Sequence, residues 1–316
     1  MLLMVRRPML LLREQMCTLE SHLGAVRDGD VEAIHEARVA TRRIRELLPL
    51  IAEGRSDTAD QLADQFRSVG RSLGDVRDAD VQTVLLRSLE TRIPGAAPTL
   101  VLLRQRHERH RLQLMRALIK EFERMEIERL VESVQHGVIR AVRHTAAGWD
   151  RRLRRLIADR AAGAREAIDY ATGVYFPKRA HKARIAIKKF RYATEIATAT
   201  GLWNAREIIR ELKKGQELLG RVHDRQELLD GFAANDGSYP AGSDRGQLEL
   251  VTQVVEAEAH DLHCRYLSRR QRLLDAALTA ERAVSRARVP VFPAAGLLAA
   301  SSALLLVRRR IAARAF

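Results

Sequence analysis

His35, Arg38, Arg42 and Arg45 occupy positions 0, 3, 7 and 10 of the stretch HEARVATRRIR, and His181, Arg184, Lys188 and Arg191 occupy the same positions of HKARIAIKKFR. At 100° per residue these offsets fall at about 0°, 300°, 340° and 280° of a helical wheel, on one arc about 80° wide and about 15 Å long. The chemistry such a stripe can perform is anion binding. Guanidinium and ammonium groups donate charge-assisted hydrogen bonds to oxyanions, Arg often through two at once. An ordinary exposed face mixes signs, because an i,i+4 acid–base pair adds about 0.2–0.5 kcal/mol and a like-charge pair costs as much. Neither stripe contains an acid; Glu36 lies beside the first, not in it. One stripe alone reads equally well as a solvated face, and the second copy favours an anion site. Arg43 and Lys189, at position 8 of each copy, enlarge the basic set.

Both stripes need a helix anchored on its other side. The first has Ala37, Ala40, Ile44, Leu47 and Leu48 there, and the second Ala183, Ala186, Phe190 and Ala193. Such amphipathic helices place an apolar stripe in a core and leave cations opposite. No segment sustains the period-two alternation of a strand, so the expected fold is all-α. In order, the pattern predicts helices over 9–27, from Asp30 as N-cap to Pro49, from Thr58 to a stop at Gly74, and from Asp78 as N-cap over Ala79–Leu89. Further helices are expected over 98–125, 127–142, 150–171 and from Pro177 to Gly201, then over 204–219, from Asp224, over 248–276 and on to 287. Residues 232–246 read as a loop.

The offset of 146 residues that relates the two stripes also carries Leu73-Gly74 to Leu219-Gly220 and Val76-Arg77-Asp78 to Val222-His223-Asp224. Two separated motifs in one register imply an internal repeat. The expected architecture is two similar four-helix-type bundles related by an approximate two-fold, over residues 1–148 and 149–288, with a tail over 289–316.

Composition narrows the partner. The formal net charge is +15, with seven lysines against forty-eight arginines. Such a basic excess points to nucleic acid, an anionic membrane or another polyanion. Aromatic residues are 4% of the chain, which leaves few platforms on which single-strand bases could stack. Cys17 and Cys264 alone cannot make a disulfide framework and suit a reducing compartment.

The pattern H-x-x-R-x-x-x-[RK]-[RK]-x-R followed by LG-x-[VL]-[RH]-D resembles the CHAD domain, an α-helical domain named for its histidines. The resemblance covers about residues 9–287 and implies helical bundles around a basic central cavity that binds inorganic polyphosphate. It further implies a cytoplasmic protein associated with polyphosphate granules. It carries a ligand-contact role onto His35, Arg38, Arg42, Arg43 and Arg45, and onto His181, Arg184, Lys188, Lys189 and Arg191. On the helices that follow, Arg67 and Arg71 are candidate contacts in one half, and Arg210, Lys213 and Lys214 in the other. The halves differ there, since Arg71 corresponds to Glu217. The alternative is a nucleic-acid-binding helical protein using the same basic surface.

Enzymatic chemistry finds little support, and neither a cofactor nor a metal is expected. The acids of Glu256-Ala257-Glu258 lack the lysine of the triphosphate-hydrolysing relatives, and no GxxxxGK[ST] loop occurs. His107 with His110, and His260 with His263 and Cys264, have metal-ligand spacing, but no carboxylate set completes them and surface histidines are the simpler reading. Asp75, Asp78 and Asp80 read as acids at a helix start. Residues 291–307, VFPAAGLLAASSALLLV, sit at the lower limit of a membrane span and precede three arginines. A tail anchor, an interfacial helix and a packed C-terminal helix all stay open, and the sequence sets no oligomeric state.

Overall fold

Leu, Ala, Ile and Val recur at three- and four-residue spacing along nearly every segment, and the segments are helical. The computed structural model describes residues 2–51, 57–135, 148–233 and 242–286, and among these there are nine α-helices, one short 3-10 turn and no strand. They are α1 (Leu2–Arg27), α2 (Val31–Ile51), α3 (Asp57–Arg92), the 3-10 turn Pro94–Ala96, α4 (Ala97–Arg124), α5 (Ile127–Ser133), α6 (Trp149–Tyr170), α7 (Pro177–Ala199), α8 (Arg206–Ala233) and α9 (Arg245–Arg286). In the first half α1 packs on α2, α2 on α3 and α3 on α4; in the second α6 packs on α7, α7 on α8, and α9 on both α8 and α6. The first basic helix begins at Val31 and the second at Pro177, again 146 residues on.

Several boundaries differ from those expected. Segments 58–73 and 79–89 form the single helix α3, and segments 204–219 and 224 onward form α8. Segments 248–276 and 277–287 likewise join in α9, whose last described residue is Arg286. A helix-interior Gly costs only about 1 kcal/mol relative to Ala, whereas burying one Leu or Val contributes about 1.5–3 kcal/mol. Leu73 and Val76, which flank Gly74, are fully buried, so packing carries the helix through the glycine. Gly74 has a different use. A Cβ there would stand 3.4 Å from Nε of Arg38, and one at Gly70 would stand 3.4 Å from Oγ1 of Thr41. The two glycines let α2 lie close along α3. Asp78 and Asp224 are therefore mid-helix residues rather than N-caps, and Asp75 and Asp80 do not lie at a helix start either.

Other local expectations hold. Asp30 accepts a hydrogen bond from the Ala33 amide at 2.7 Å and caps α2. Pro177 is the first residue of α7, and Gly201, at φ +66°, follows its end. The lack of a side chain at Gly201 makes room for Arg7 of α1, which donates to the Thr200 carbonyl at 3.0 Å.

The apolar faces of the stripe helices are buried. Ala37, Ala40, Ile44 and Leu47 on α2 and Ala183, Ile187, Phe190 and Ala193 on α7 have no exposed surface, while Ala186 is only partly covered. They belong to one apolar core that draws on both halves of the chain. A second apolar cluster joins Leu86, Leu89, Leu100 and Leu103 of the first half to Leu228, Phe232, Val251 and Val255 of the second. Arginines reinforce the junction. Arg160 of α6 pairs with Glu46 of α2 and donates to the Lys189 carbonyl of α7, and Arg152 donates to the Leu50 carbonyl.

Candidate polyanion site

The cations of α2 and α7 meet. Lys188 is half-buried and lies among Arg38 and Arg42 of α2 and Arg184 of its own helix. Burial, then those three guanidiniums, push its ammonium down to about 7, against a smaller opposing pull from Asp78. Arg42 is pushed down to about 10 chiefly by burial, with Arg38 and Arg191 adding to the effect. Its Nε is buried without a hydrogen-bond partner. The aromatic residue at this junction is Tyr192, only 5% exposed, with the Arg42 guanidinium 4.1 Å and the Arg191 guanidinium 4.8 Å from its ring centre.

Ion pairing separates the expected site residues into two groups. Arg191 is held by Glu195 at 2.6 Å and by Gln216 at 2.8 Å, Arg67 pairs with Asp64, Arg210 with Glu207, and Lys214 with Glu211. Arg38, Arg42, Arg184 and Lys188 make no ion pair among the described residues. Desolvated cations without counter-charge are unfavourable unless an anion is supplied.

The remaining expected residues spread out from this centre. Burial, then Arg67, lowers the pKa of Arg45, and Arg71 adds to the effect, so these three make a second cationic group further along α2. Arg45, Arg67 and Lys189 also line a cleft of about 640 Å³ with Arg155 and Arg160, in which Asp60, Asp64 and Asp159 offset much of the charge. Arg43, off the stripe, donates to Oε1 of Gln15 on α1 at 3.3 Å. Arg210 and Lys213 are exposed on α8. Nδ1 of His35 is buried without a partner. His181 stands 4.8 Å from His223, ring centre to ring centre, and burial, then His223 and Arg184, lower its pKa.

Acids close one end of the cluster. Burial raises the pKa of Asp224, with Arg184 and His223 opposing and Glu227 and Asp78 reinforcing. Gln82 of α3 donates to the Asp224 carbonyl at 2.8 Å, so α3 and α8 meet beside the acids. Sequence reasoning left out Tyr192, Gln82 and Glu227, and treated the two aspartates as caps. The reading of the spaced histidines as surface residues changes at one position. Among the described residues no group of three or more His, Cys, Asp or Glu could hold a metal, and His263 is 4% exposed against Tyr175 and Tyr266 rather than a surface residue. Cys17 and Cys264 are both exposed and unpaired.

Comparison with known proteins bears on this arrangement. A profile of the CHAD domain matches residues 10–233, about seven-tenths of the chain. The chain belongs to the CHAD domain family. The crystal structure of the CHAD domain from the plant Ricinus communis is similar in fold, with a TM-score of 0.55 at 24% identity over 90% of this chain and 92% of that one. No curated protein matches the chain. The family profile stops at Ala233, before α9, although α9 packs on both α6 and α8 and extends the bundle of this CHAD protein to Arg286. Among the described residues no helix is long and apolar enough to cross a membrane; residues 291–307 lie outside them.

Proposed function

We propose that this CHAD protein binds inorganic polyphosphate, without turning it over, through the cations that α2 and α7 bring together. The observation that carries this reading is the unpaired set Arg38, Arg42, Arg184 and Lys188, gathered from two helices and partly removed from water. A chain of phosphates supplies closely spaced oxyanions that guanidinium groups bind through two parallel hydrogen bonds, without base edges or sugars to accommodate. Family membership supports the same ligand. The placement of Tyr192 argues against single-stranded nucleic acid as the preferred ligand, because a ring buried beside two guanidiniums cannot serve as a stacking platform. Association with polyphosphate granules would follow from the same affinity.

Competition at physiological salt between long-chain polyphosphate and DNA or RNA for the labelled protein tests the proposal. Polyphosphate should displace nucleic acid; equal or tighter nucleic-acid binding would refute it. Incubation with polyphosphate and Mg²⁺ should release no phosphate, and turnover that disappears on replacing an acid would assign an enzyme instead.

A further inference from the structure

A cavity of about 550 Å³ lies away from the cationic cluster, between the second half of α8, the loop before α7 and the first half of α9. Its chemistry is opposite to that of the rest of this molecule. Although the chain carries 55 Lys and Arg residues, none lines the cavity among the described residues; its charged walls are Asp230 and Glu256.

Tyr175 is fixed at its edge. The ring stands 5.2 Å from that of His260 and 5.1 Å from that of His263, and its hydroxyl donates to Oε1 of Gln226 at 3.1 Å. Nε2 of Gln226 in turn donates to Oδ1 of Asp230 at 2.7 Å. This relay orients both the aromatic face and one carboxylate, and Oδ2 of Asp230 has no partner among the described residues. Glu256, on α9, has no hydrogen bond or ion pair among the described residues. Leu229 and Phe232 add apolar surface to the same lining.

We infer that this cavity binds a protonated aliphatic diamine or polyamine, with ammonium groups at Asp230 and Glu256 and the methylene chain against Leu229, Phe232 and the Tyr175 ring. An anion would meet two carboxylates there. A metal ion would find no set of three ligating side chains. A neutral ligand would leave both carboxylates unused. An alkylammonium matches the acids, the apolar wall and an aromatic face that attracts cations. The volume lies within the usual range of about 300–1,000 Å³ for small-molecule sites. The overall positive charge does not prevent the approach, because at physiological salt it is screened beyond about 8 Å and the nearby carboxylates dominate. The inference is independent of the polyphosphate site.

Titration calorimetry of the full chain, freed of polyanion, with spermidine and with putrescine tests it. One saturable site is expected, with submillimolar spermidine affinity. Asp230→Asn combined with Glu256→Gln should weaken binding about a hundredfold, about tenfold for each lost charge-assisted hydrogen bond. Both side chains are exposed, so the variant should keep its helical circular dichroism; if it does not, each single substitution should still weaken binding. Absence of saturable binding, undiminished affinity in the folded variants, or 1,4-butanediol binding as tightly as putrescine would each overturn the inference.

Discussion

The guanidinium of Arg42, on α2, lies 4.1 Å from the ring centre of Tyr192, on α7, and this contact joins cationic stripes that are distant in sequence. Arg191 shares the same ring at 4.8 Å. An electron-rich face between like charges lowers the cost of holding them close, by about 0.5–2 kcal/mol per contact depending on desolvation. Tyr192→Leu should therefore destabilise the free protein by about 2 kcal/mol in urea denaturation, whereas Tyr192→Phe should retain the cation–π part. Saturating polyphosphate should recover part of the loss in the Leu variant, because a polyanion relieves the repulsion that the ring had masked.

Gly74 should tolerate alanine but not a larger side chain. A Cβ would sit 3.4 Å from Nε of Arg38, ordinary contact, and the helix propensity of Ala favours α3 by up to about 1 kcal/mol. Gly74→Leu would push the Arg38 guanidinium from its place. Polyphosphate affinity in calorimetry should then fall about tenfold, the value of one charge-assisted contact, while Gly74→Ala stays near the native affinity.

Lys188 gives the free protein and its complex opposite responses to pH. Its folded-state pKa is about 7, lowered mainly by burial and then by Arg38, Arg42 and Arg184, below the ordinary Lys value of about 10.4. Between those values the unfolded chain holds the extra proton, so stability of the free protein should rise as pH climbs through that window. After allowance for solvent screening the gain is on the order of 1–2 kcal/mol. Bound polyphosphate restores the charge, so binding takes up a proton and affinity should decline as pH rises above about 7. Comparing Lys188→Met with the native chain in paired denaturation and binding series isolates this residue: the variant should lose both slopes.

Cations that lack a carboxylate partner should account for most of the salt dependence. Arg38→Ala with Arg42→Ala, or Arg184→Ala with Lys188→Ala, should each reduce the log–log salt slope by about 1.4, taking about 0.7 per contact as for a single-stranded polyanion. Either pair should weaken binding while keeping one ligand per protein, since both helices serve one site. A stoichiometry halved by either pair would show two separate sites. Arg191→Ala, which removes a cation already held by Glu195, should change the slope less.

The sequence showed the helical class and the stripes because both depend on short-range periodicity. Ala37, Ala40, Ile44 and Leu47 are buried where their spacing requires. Tyr192 was within reach of the same reasoning: eleven residues after His181 it falls at about 20° on the wheel, directly after Arg191 and about one turn beyond Lys188. The central glycines were misread because a glycine after a leucine signals a helix end locally, whereas Gly74 answers to Arg38 on another helix. Asp78 and Asp224 were misassigned for the same reason. Which cations would find carboxylates was not legible: Glu46 pairs with Arg160 on α6, more than a hundred residues away.

The apolar cluster shared by Leu86 and Leu100 with Phe232 and Val255 has a consequence during synthesis. Its first-half members leave the ribosome well before their partners exist. At about 5–20 residues per second, the roughly 150 residues from Leu103 to Val255 take about 8–30 s to make. For that interval the nascent chain carries a bare greasy patch beside a strongly cationic helix. A ribosome-associated chaperone that prefers basic, apolar segments should engage it there and let go once α9 has been translated.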